Sequence, residues 1–143
     1  MFLLFLLYNF ICQSSPGDPA VYAPIRINIT HISSNKGEIL IALYSTDKGF
    51  PGGKEGATRT VKANAQKGNL VIAIDDVAPG TYAIALFHDT NNDGKLNFNF
   101  LGIPKEGYGF SNNASNLFSA PKFKQAAFIH KEMVTQLDIR MKY

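Results

Sequence analysis

The chain is poor in cysteine, and this absence excludes several kinds of site. Its 143 residues contain one cysteine, Cys12, which lies in an apolar N-terminal run. If that run is removed as a leader, the remaining chain has no thiol. A disulfide, a thiol nucleophile and a thiolate metal site are then all excluded.

Clustered positive charge is also lacking. The formal net charge is +3 and the pI is near 9.0, but the lysines and arginines are scattered along the chain. A surface that binds nucleic acid needs basic residues gathered on one face or in one run. We therefore expect a mildly basic, solvated surface and no nucleic-acid partner.

Long apolar runs are lacking as well. The run at residues 2–12 is too short to span a bilayer comfortably, and small and polar residues follow it. This pattern predicts a signal peptide at residues 1–15, although the usual basic start is missing. We expect export to the periplasm or the extracellular space, with no stable membrane span after cleavage. An uncleaved membrane anchor is the alternative.

Cys12 raises the possibility of a lipid anchor. Ile11 stands immediately before it, where a lipobox needs Gly, Ala or Ser. Lipidation of Cys12 is therefore not expected.

Residues 16–23 are predicted to be a flexible lead-in, and residues 24–143 are predicted to form a single domain. A chain of this length with 45% hydrophobic residues can bury one core.

No segment shows helical periodicity, and alternation of apolar and polar residues dominates instead. Six stretches predict strands, at residues 24–32, 37–45, 70–75, 81–89, 125–130 and 136–143. The stretch at 81–89 is apolar on both faces, so we expect it in the middle of a sheet that is covered on both sides. Short strands between Gly, Pro and Asn turns predict an all-β, antiparallel sandwich of about seven strands, immunoglobulin-like or prealbumin-like.

Two stretches lack a strand pattern. Residues 45–60 are rich in glycine and charge, which predicts an exposed loop. The second, near residues 89–121, is longer than loops of compact domains usually are, and it is rich in aromatic residues that disordered linkers avoid. We therefore expect it to be ordered, with its aromatic side chains packed: Phe98, Phe100, Tyr108, Phe110 and Phe118.

The start of the long loop, HDTNNDGKLNFN, has the spacing of a calcium loop. Asp89, Asn91 and Asp93 take positions one, three and five, and Gly94 takes position six, where the chain turns sharply. Hard cations such as Ca²⁺ need several oxygens around one point. The predicted ligands are the side chains of Asp89, Asn91, Asp93 and Asn97 and the backbone carbonyl of Lys95.

The match to a calcium loop is incomplete. Position twelve holds Phe100 instead of a bidentate Glu, and the flanking segments are strands, so this is not an EF-hand. Glu106 or Asp47 could supply the missing carboxylate. The other interpretation is a polar turn in which Asp89 and Asn91 hydrogen-bond to nearby backbone. If calcium binds, we expect a dissociation constant on the order of 10⁻⁴ M or weaker.

Catalytic interpretations are less well supported. His88 and Asp89 are neighbours on a strand, so their side chains point to opposite faces and are poorly placed to share a proton. We expect His88 to hydrogen-bond to a loop carbonyl. Ser111 lacks the G-x-S-x-G elbow of a serine hydrolase, and no spacing supports a metal site formed by His31, His88 and His130.

The segment GIPKEGYGFSNN carries the other candidate site. Tyr108 and Phe110 flank Gly109, and we expect at least one ring to pack inward. Exposed rings could instead stack on a sugar whose hydroxyls bond to Asn112. The possible ligand surface comprises His88, Glu106, Tyr108, Phe110 and Asn112.

A resemblance to a known family rests on the run PGTYAIALFHDTNNDGKLNFNFLGIPKEGYGFSNN. Together with Gly37, Pro121 and Phe128, it resembles the bacterial exported family catalogued as domain of unknown function 2141. The resemblance covers nearly all of the chain after the predicted leader. It implies an exported β-sandwich without an established biochemical activity.

Two hypotheses follow. The first is a non-catalytic exported module, binding or structural, with a calcium-stabilised loop that contacts an envelope component, a glycan or a partner protein. The alternative is a metal-dependent or acid-base hydrolase that uses the region of His88, Asp89 and Glu106.

Overall fold

The structure, a computed structural model, describes residues 21–52 and 55–143. The predicted signal peptide and the first part of the predicted lead-in lie outside these residues. Within them the chain forms eight strands and two short helical segments: β1 (Ala23–Ile32), β2 (Glu38–Tyr44), β3 (Arg59–Asn64), β4 (Gly68–Val77), β5 (Gly80–Asp89), β6 (Tyr108–Phe110), a 3₁₀ helix (Ser111–Asn113), α1 (Phe123–Ala126), β7 (Phe128–His130) and β8 (Thr135–Arg140).

The first sheet has the strand order β4-β1-β8. β1 is antiparallel to β4 and parallel to β8, with Ile25 opposite Thr135 and Ile29 opposite Ile139. This parallel pair differs from the purely antiparallel sandwich that the sequence predicts. β1 and β8 are the first and last strands, so no short turn joins them or fixes their relative direction.

The second sheet has the order β3-β2-β5-β6, and β7 also pairs with β5. β7 lies along the beginning of β5, with Gly80 opposite His130, whereas β6 lies along its later part, with Phe87 opposite Tyr108. β5 therefore has neighbours on both sides. The prediction that this strand lies in the middle of a sheet is confirmed.

The core lies between the two sheets and consists of alternate residues of their strands. Ile25, Ile27 and Ile29 of β1 are fully buried, as their spacing predicts. From the second sheet, Ile39 and Ile84 meet them and are also fully buried. Burying an isoleucine side chain stabilises a fold by roughly 1.5–3 kcal/mol, so this layer is the main source of stability. The predicted sandwich architecture is confirmed.

The outer face of β5 is covered by aromatic side chains. Ala83 is fully buried there, and Phe50, from the loop after β2, packs edge-on against Tyr44 with ring centroids 5.2 Å apart. Phe50 also meets Phe110 at 6.1 Å and Phe123 of α1 at 5.9 Å. These contacts explain why β5 is apolar on both faces.

β3 was not predicted as a strand, since the sequence indicates a loop over residues 45–60. β3 is an edge strand paired only with β2, and four of its six residues are exposed. An edge strand with one exposed face needs few apolar residues, so RTVKAN carries a weak pattern. α1 is a single turn of four residues, too short to show helical periodicity.

The long loop is ordered, but the prediction that its aromatic residues are packed is only half right. Tyr108 and Phe110 are half-buried in β6, with ring centroids 5.9 Å apart. Phe98, Phe100 and Phe118 are exposed. Phe98 pairs with Pro104 in an isolated β-bridge, Phe100 lies in a turn and Phe118 lies in a bend, so none of the three belongs to either sheet.

Candidate functional site

The candidate site begins where β5 ends. Asp89 is the last residue of β5 and lies opposite Glu38, the first residue of β2. Gly37, just before β2, has a φ of +72°, and a Cβ added there would lie 1.9 Å from the carbonyl oxygen of Asp89. The backbone segments at Gly37 and Asp89 therefore approach each other closely, and this contact fixes the position of Asp89.

The Asp89 carboxylate closes the turn that follows it. One oxygen accepts a hydrogen bond from the backbone N–H of Asp93 at 3.1 Å, and the other accepts one from Gly94 at 2.7 Å. Gly94 has a φ of +75°, a conformation that glycine adopts without strain. Asp89 is only 1% exposed, so the turn is wrapped around a buried carboxylate.

Glu106 holds the two ends of the loop together. One of its carboxylate oxygens accepts hydrogen bonds from the backbone N–H and the hydroxyl of Thr90, both at 3.0 Å. The other accepts one from the backbone N–H of Asn97 at 3.1 Å. Glu106 is 5% exposed. Of the two carboxylates distant in sequence, Glu106 is therefore the one that lies beside this turn. Asp47 follows the end of β2 that is opposite Glu38, so it lies away from the turn.

Asp93, Asn91 and Asn97 form a connected group on the exposed side of the loop. One Asp93 oxygen accepts from the Asn97 amide at 2.9 Å and from the Asn91 amide at 3.3 Å. The Asn91 amide also donates to the side-chain oxygen of Asn97 at 3.1 Å. Three of the predicted ligands are therefore in mutual contact.

The electrostatics of Asp93 reflect these contacts. Its other oxygen accepts from the backbone N–H of Lys95 at 2.9 Å. The hydrogen bond from Asn97, followed by that from Lys95, lowers the pKa of the Asp93 carboxyl below its ordinary value, against a smaller opposing effect of desolvation. The ionised form is thus the one that the loop stabilises.

The hydrogen bonds of a polar turn are present too. Besides the Asp89 contacts, the side-chain oxygen of Asn91 accepts from the backbone N–H of Asp93 at 3.3 Å, and Asn92 has a φ of +57°. Both interpretations of this segment therefore share one geometry.

The two buried carboxylates have only neutral partners. The donors to Asp89 and Glu106 are backbone N–H groups and one hydroxyl. Over residues 21–52 and 55–143 the ion pair present is Lys62 with Glu38, at 3.2 Å, which involves neither residue. Two buried carboxyl groups therefore lie at the base of this loop, and hydrogen bonds instead of a counter-charge offset the cost of their burial.

A small open cleft adjoins the loop. It has a volume of about 370 Å³ and is lined by Thr90, Asn91, Asn97, Phe98, Lys105 and Glu106. In the part of the chain that the structure describes, no three His, Cys, Asp or Glu side chains come together as a metal-binding group. A cation at this loop would therefore depend on amide and carbonyl oxygens as well as on carboxylates.

His88 is held in the interior and hydrogen-bonded at both ring nitrogens. Nε2 lies 2.6 Å from the carbonyl oxygen of Lys36, and Nδ1 lies 2.8 Å from the hydroxyl of Tyr143. A carbonyl can only accept, so Nε2 donates to Lys36, and in the neutral imidazole Nδ1 then accepts from the Tyr143 hydroxyl. The expected bond from His88 to a loop carbonyl is confirmed. The side chain is fully buried, and no contact joins it to the Asp89 carboxylate among the described residues.

The other catalytic candidates are also held in structural contacts. His130 bonds to the Thr135 hydroxyl at 2.7 Å and to the Val77 carbonyl at 3.1 Å, and it is buried. His31 is exposed and is distant in sequence from both His88 and His130. The buried Ser111 hydroxyl lies 2.5 Å from the Ala126 carbonyl and accepts from the Ile84 N–H at 2.9 Å. His130 and Ser111 therefore link elements of the fold, whereas His31 bonds to the neighbouring Thr30.

The predicted ligand surface is divided by the fold. Glu106 and His88 are buried, whereas Tyr108 and Phe110 are half-buried in β6. Asn112 is exposed, and its amide donates to the Ala127 carbonyl at 2.7 Å. The partnership of Tyr143 with His88 could not be found from sequence, since 55 positions separate the two residues.

No helix over the described residues is long and apolar enough to cross a membrane. A family model described as an uncharacterised protein conserved in bacteria, domain of unknown function 2141 (DUF2141), matches residues 27–138. The match reaches from β1 to β8 and includes the whole of the loop with Asp89 and Glu106. No curated protein and no solved structure matches the chain.

Proposed function

We propose, from the premise that this chain belongs to the DUF2141 family of bacterial proteins, that it is an exported, non-catalytic β-sandwich module of the cell envelope with a calcium-stabilised loop at residues 89–106. The observation that carries the proposal is the burial of Asp89 and Glu106 without a positively charged partner. A divalent cation would offset that charge.

The proposed ligands surround the turn. Asp89 and Asp93 supply carboxylate oxygens, Asn91 and Asn97 supply amide oxygens, and Lys95 supplies its backbone carbonyl. Glu106, which reaches both ends of the loop, takes the role of the carboxylate that position twelve lacks. Calcium accepts six to eight oxygens of this mixed kind.

Ligation requires a local rearrangement of the two amides. In the structure the Asn91 and Asn97 amide nitrogens face Asp93. A half-turn of each amide group about its terminal bond exchanges nitrogen for oxygen at almost the same position. The same two side chains can thus hold Asp93 by hydrogen bonds or turn oxygens toward an ion.

A weak affinity for calcium is consistent with a protein that is exported. A site with few charged ligands on an exposed loop is expected to bind calcium at about 10⁻⁴–10⁻³ M, as extracellular modules do. The apolar run at residues 2–12 supports export, and the hydrogen bonds that hold both ring nitrogens of His88 in the interior support a structural role for this residue. A glycan, an envelope component or a partner protein would contact the module at the loop and its cleft.

The test is thermal unfolding in calcium and in chelator. With about 10 mM calcium, a site of the expected affinity stabilises the folded state by roughly 1.4–2.7 kcal/mol. The unfolding midpoint should then rise by about 4–10 °C. An equal midpoint under both conditions would contradict the proposal and leave the segment as a polar turn.

Two variants make the test specific. Asp93→Asn removes a proposed ligand at an exposed position and should abolish the calcium-dependent rise while the protein still folds. Asp47→Asn removes the same charge from an exposed loop at the other end of β2 and should leave the rise unchanged. A rise that survives Asp93→Asn, or that Asp47→Asn also removes, would show that calcium acts elsewhere.

A further inference from the structure

Within the long loop the chain forms a small hairpin with a fixed turn. The backbone N–H of Lys105 donates to the Asn97 carbonyl at 2.8 Å, and that of Asn99 donates to the Ile103 carbonyl at 2.9 Å. The Asn99 side-chain oxygen accepts from the N–H groups of Leu101 and Ile103 at 2.9 and 3.0 Å. This turn is therefore specified by its own hydrogen bonds.

The hairpin carries four apolar side chains that point into solvent, which we call the hairpin tip. They are Phe98, Phe100, Leu101 and Ile103, exposed to 54%, 96%, 68% and 54%. Single exposed apolar residues are common, but a contiguous group on one rigid projection marks a surface that is covered by something else. The turn bonds hold these side chains away from the core.

Two lysines are the charged residues nearest the hairpin tip in the chain. Lys95 and Lys105 are exposed and flank it, and no acidic residue lies between positions 94 and 105; the carboxylates of Asp93 and Glu106 lie just beyond the lysines. A projection with apolar side chains at its end and lysines behind it matches the layers of a membrane surface. Apolar groups enter the acyl boundary, and the lysine amines remain with the phosphates.

We propose that the hairpin tip inserts into the surface of a lipid bilayer that carries anionic headgroups, with Lys95 and Lys105 on the phosphates. A second copy of this chain fits the tip less well. A stable interface between proteins buries roughly 800 Å² per partner against a surface of matching shape, whereas the tip is a single turn with four apolar side chains. A bilayer needs no complementary shape and accepts a small convex wedge.

Insertion of the hairpin tip into a bilayer does not require calcium. An effect of calcium on this binding would rest on the proposed function. Asp89, Asp93 and Glu106 lie behind the tip, and a bound Ca²⁺ would offset their charge. Attraction to anionic lipid should then be stronger in calcium than in chelator.

The absence of tryptophan from the chain allows a local optical test. Phe100→Trp places one reporter at the tip, and Phe118→Trp places a matched reporter at a residue that is 98% exposed in the segment between the 3₁₀ helix and α1. With vesicles of phosphatidylcholine and phosphatidylglycerol, the Phe100→Trp emission should shift to shorter wavelength and be quenched by brominated acyl chains. The Phe118→Trp emission should not change.

Vesicle affinity gives the second readout. The N-terminal segment is the same in all variants, so differences between them report on the loop. Phe100→Ser with Leu101→Ser should weaken binding to the anionic vesicles by about tenfold or more, because the contribution of two buried apolar side chains is lost. Phe118→Ser should leave it unchanged, and phosphatidylcholine alone should bind more weakly than the mixed vesicles.

Several results would overturn the inference. One is unchanged Phe100→Trp emission with anionic vesicles in both calcium and chelator, whatever the thermal shift shows. Another is an emission shift that grows with protein concentration without lipid, which would assign the tip to a second copy. A vesicle-dependent shift in a protein whose midpoint ignores calcium would support the lipid contact while contradicting the proposed calcium site.

Discussion

At the scale of single residues, the 89–106 loop is organised by carboxylate oxygens that accept hydrogen bonds from its backbone. Asp89 accepts from Asp93 and Gly94, and Glu106 accepts from Thr90 and Asn97. Bonds to an ionised acceptor are roughly twice as strong as neutral ones. The shape of the loop therefore depends on carboxylate charge.

Asp93 makes this dependence measurable. Because its folded pKa is lowered, its contribution to stability is present above the unfolded pKa and is lost as the pH falls through the folded pKa. Asn97→Ala removes the largest cause of the shift and should move the Asp93 pKa upward, toward the ordinary value. A carboxyl NMR titration checks this.

Asn116→Ala, in the loop before α1, is the matched control and should leave the Asp93 titration unchanged. An Asp93 pKa that Asn97→Ala does not raise would show that the amide contact is absent in solution.

The sequence predicts part of this residue-scale geometry. Spacing alone places Asp89, Asn91 and Asp93 on one turn, because short-range patterns determine short-range contacts. The choice between Glu106 and Asp47 could not be made, since it depends on which end of β2 each residue reaches. The contact of Gly37 with Asp89 has no sequence signal beyond the glycine itself.

At the scale of elements, the end of β5 is positioned by the segment that precedes β2. Gly37 combines a φ of +72° with close contact to the Asp89 carbonyl. Gly68 has a φ of +94°, but an added Cβ would meet nothing within 4 Å. Substitution of these two glycines therefore distinguishes the cost of a positive φ alone, at Gly68, from the added cost of a steric clash, at Gly37.

Gly37→Ala should cost more than about 3 kcal/mol, because strain and a clash with backbone act together. Gly68→Ala should cost only about 1–2 kcal/mol, the penalty of the left-handed conformation alone. Denaturant unfolding measures both. If Gly37→Ala does not fold while Gly68→Ala does, the prediction is also supported, because the loss of stability at Gly37 is then larger than the stability of the protein. Equal losses would mean that the close approach is relaxed in solution.

Strand prediction succeeded where burial imposes a pattern and failed where it does not. β1, β2 and β5 have fully buried alternate residues, and their sequences show the alternation. β3 and β6 are an edge strand and a three-residue strand, and neither buries enough apolar residues to mark itself. The sequence predicts packed aromatic residues at the hairpin tip, and this prediction is wrong, because composition alone does not reveal a turn that holds side chains outward.

At the scale of the whole molecule, the two sheets share one core. Ile139 of β8 is fully buried, and a Cβ added at Gly109 of β6 would lie 2.8 Å from its side chain. β8 therefore belongs to the first sheet but packs directly against the second. Unfolding should be a single cooperative transition.

Ile139→Ala should lower stability by about 2–5 kcal/mol and shift one common midpoint, whether unfolding is followed by backbone or by aromatic signals. Ile129→Ala, at a position that is 70% exposed in β7, removes the same atoms and should change stability by no more than about 0.5 kcal/mol. Two separate midpoints would show that the sheets unfold independently.

The pairing of β1 with β8 has a consequence for the order of events in the cell. β1 is made among the first strands, yet its partner extends to residue 140. A nascent chain cannot complete the first sheet until residue 140 has been made. β1 therefore keeps one unpaired edge until β8 is available, and the three-stranded sheet is completed only after β8 has been synthesised.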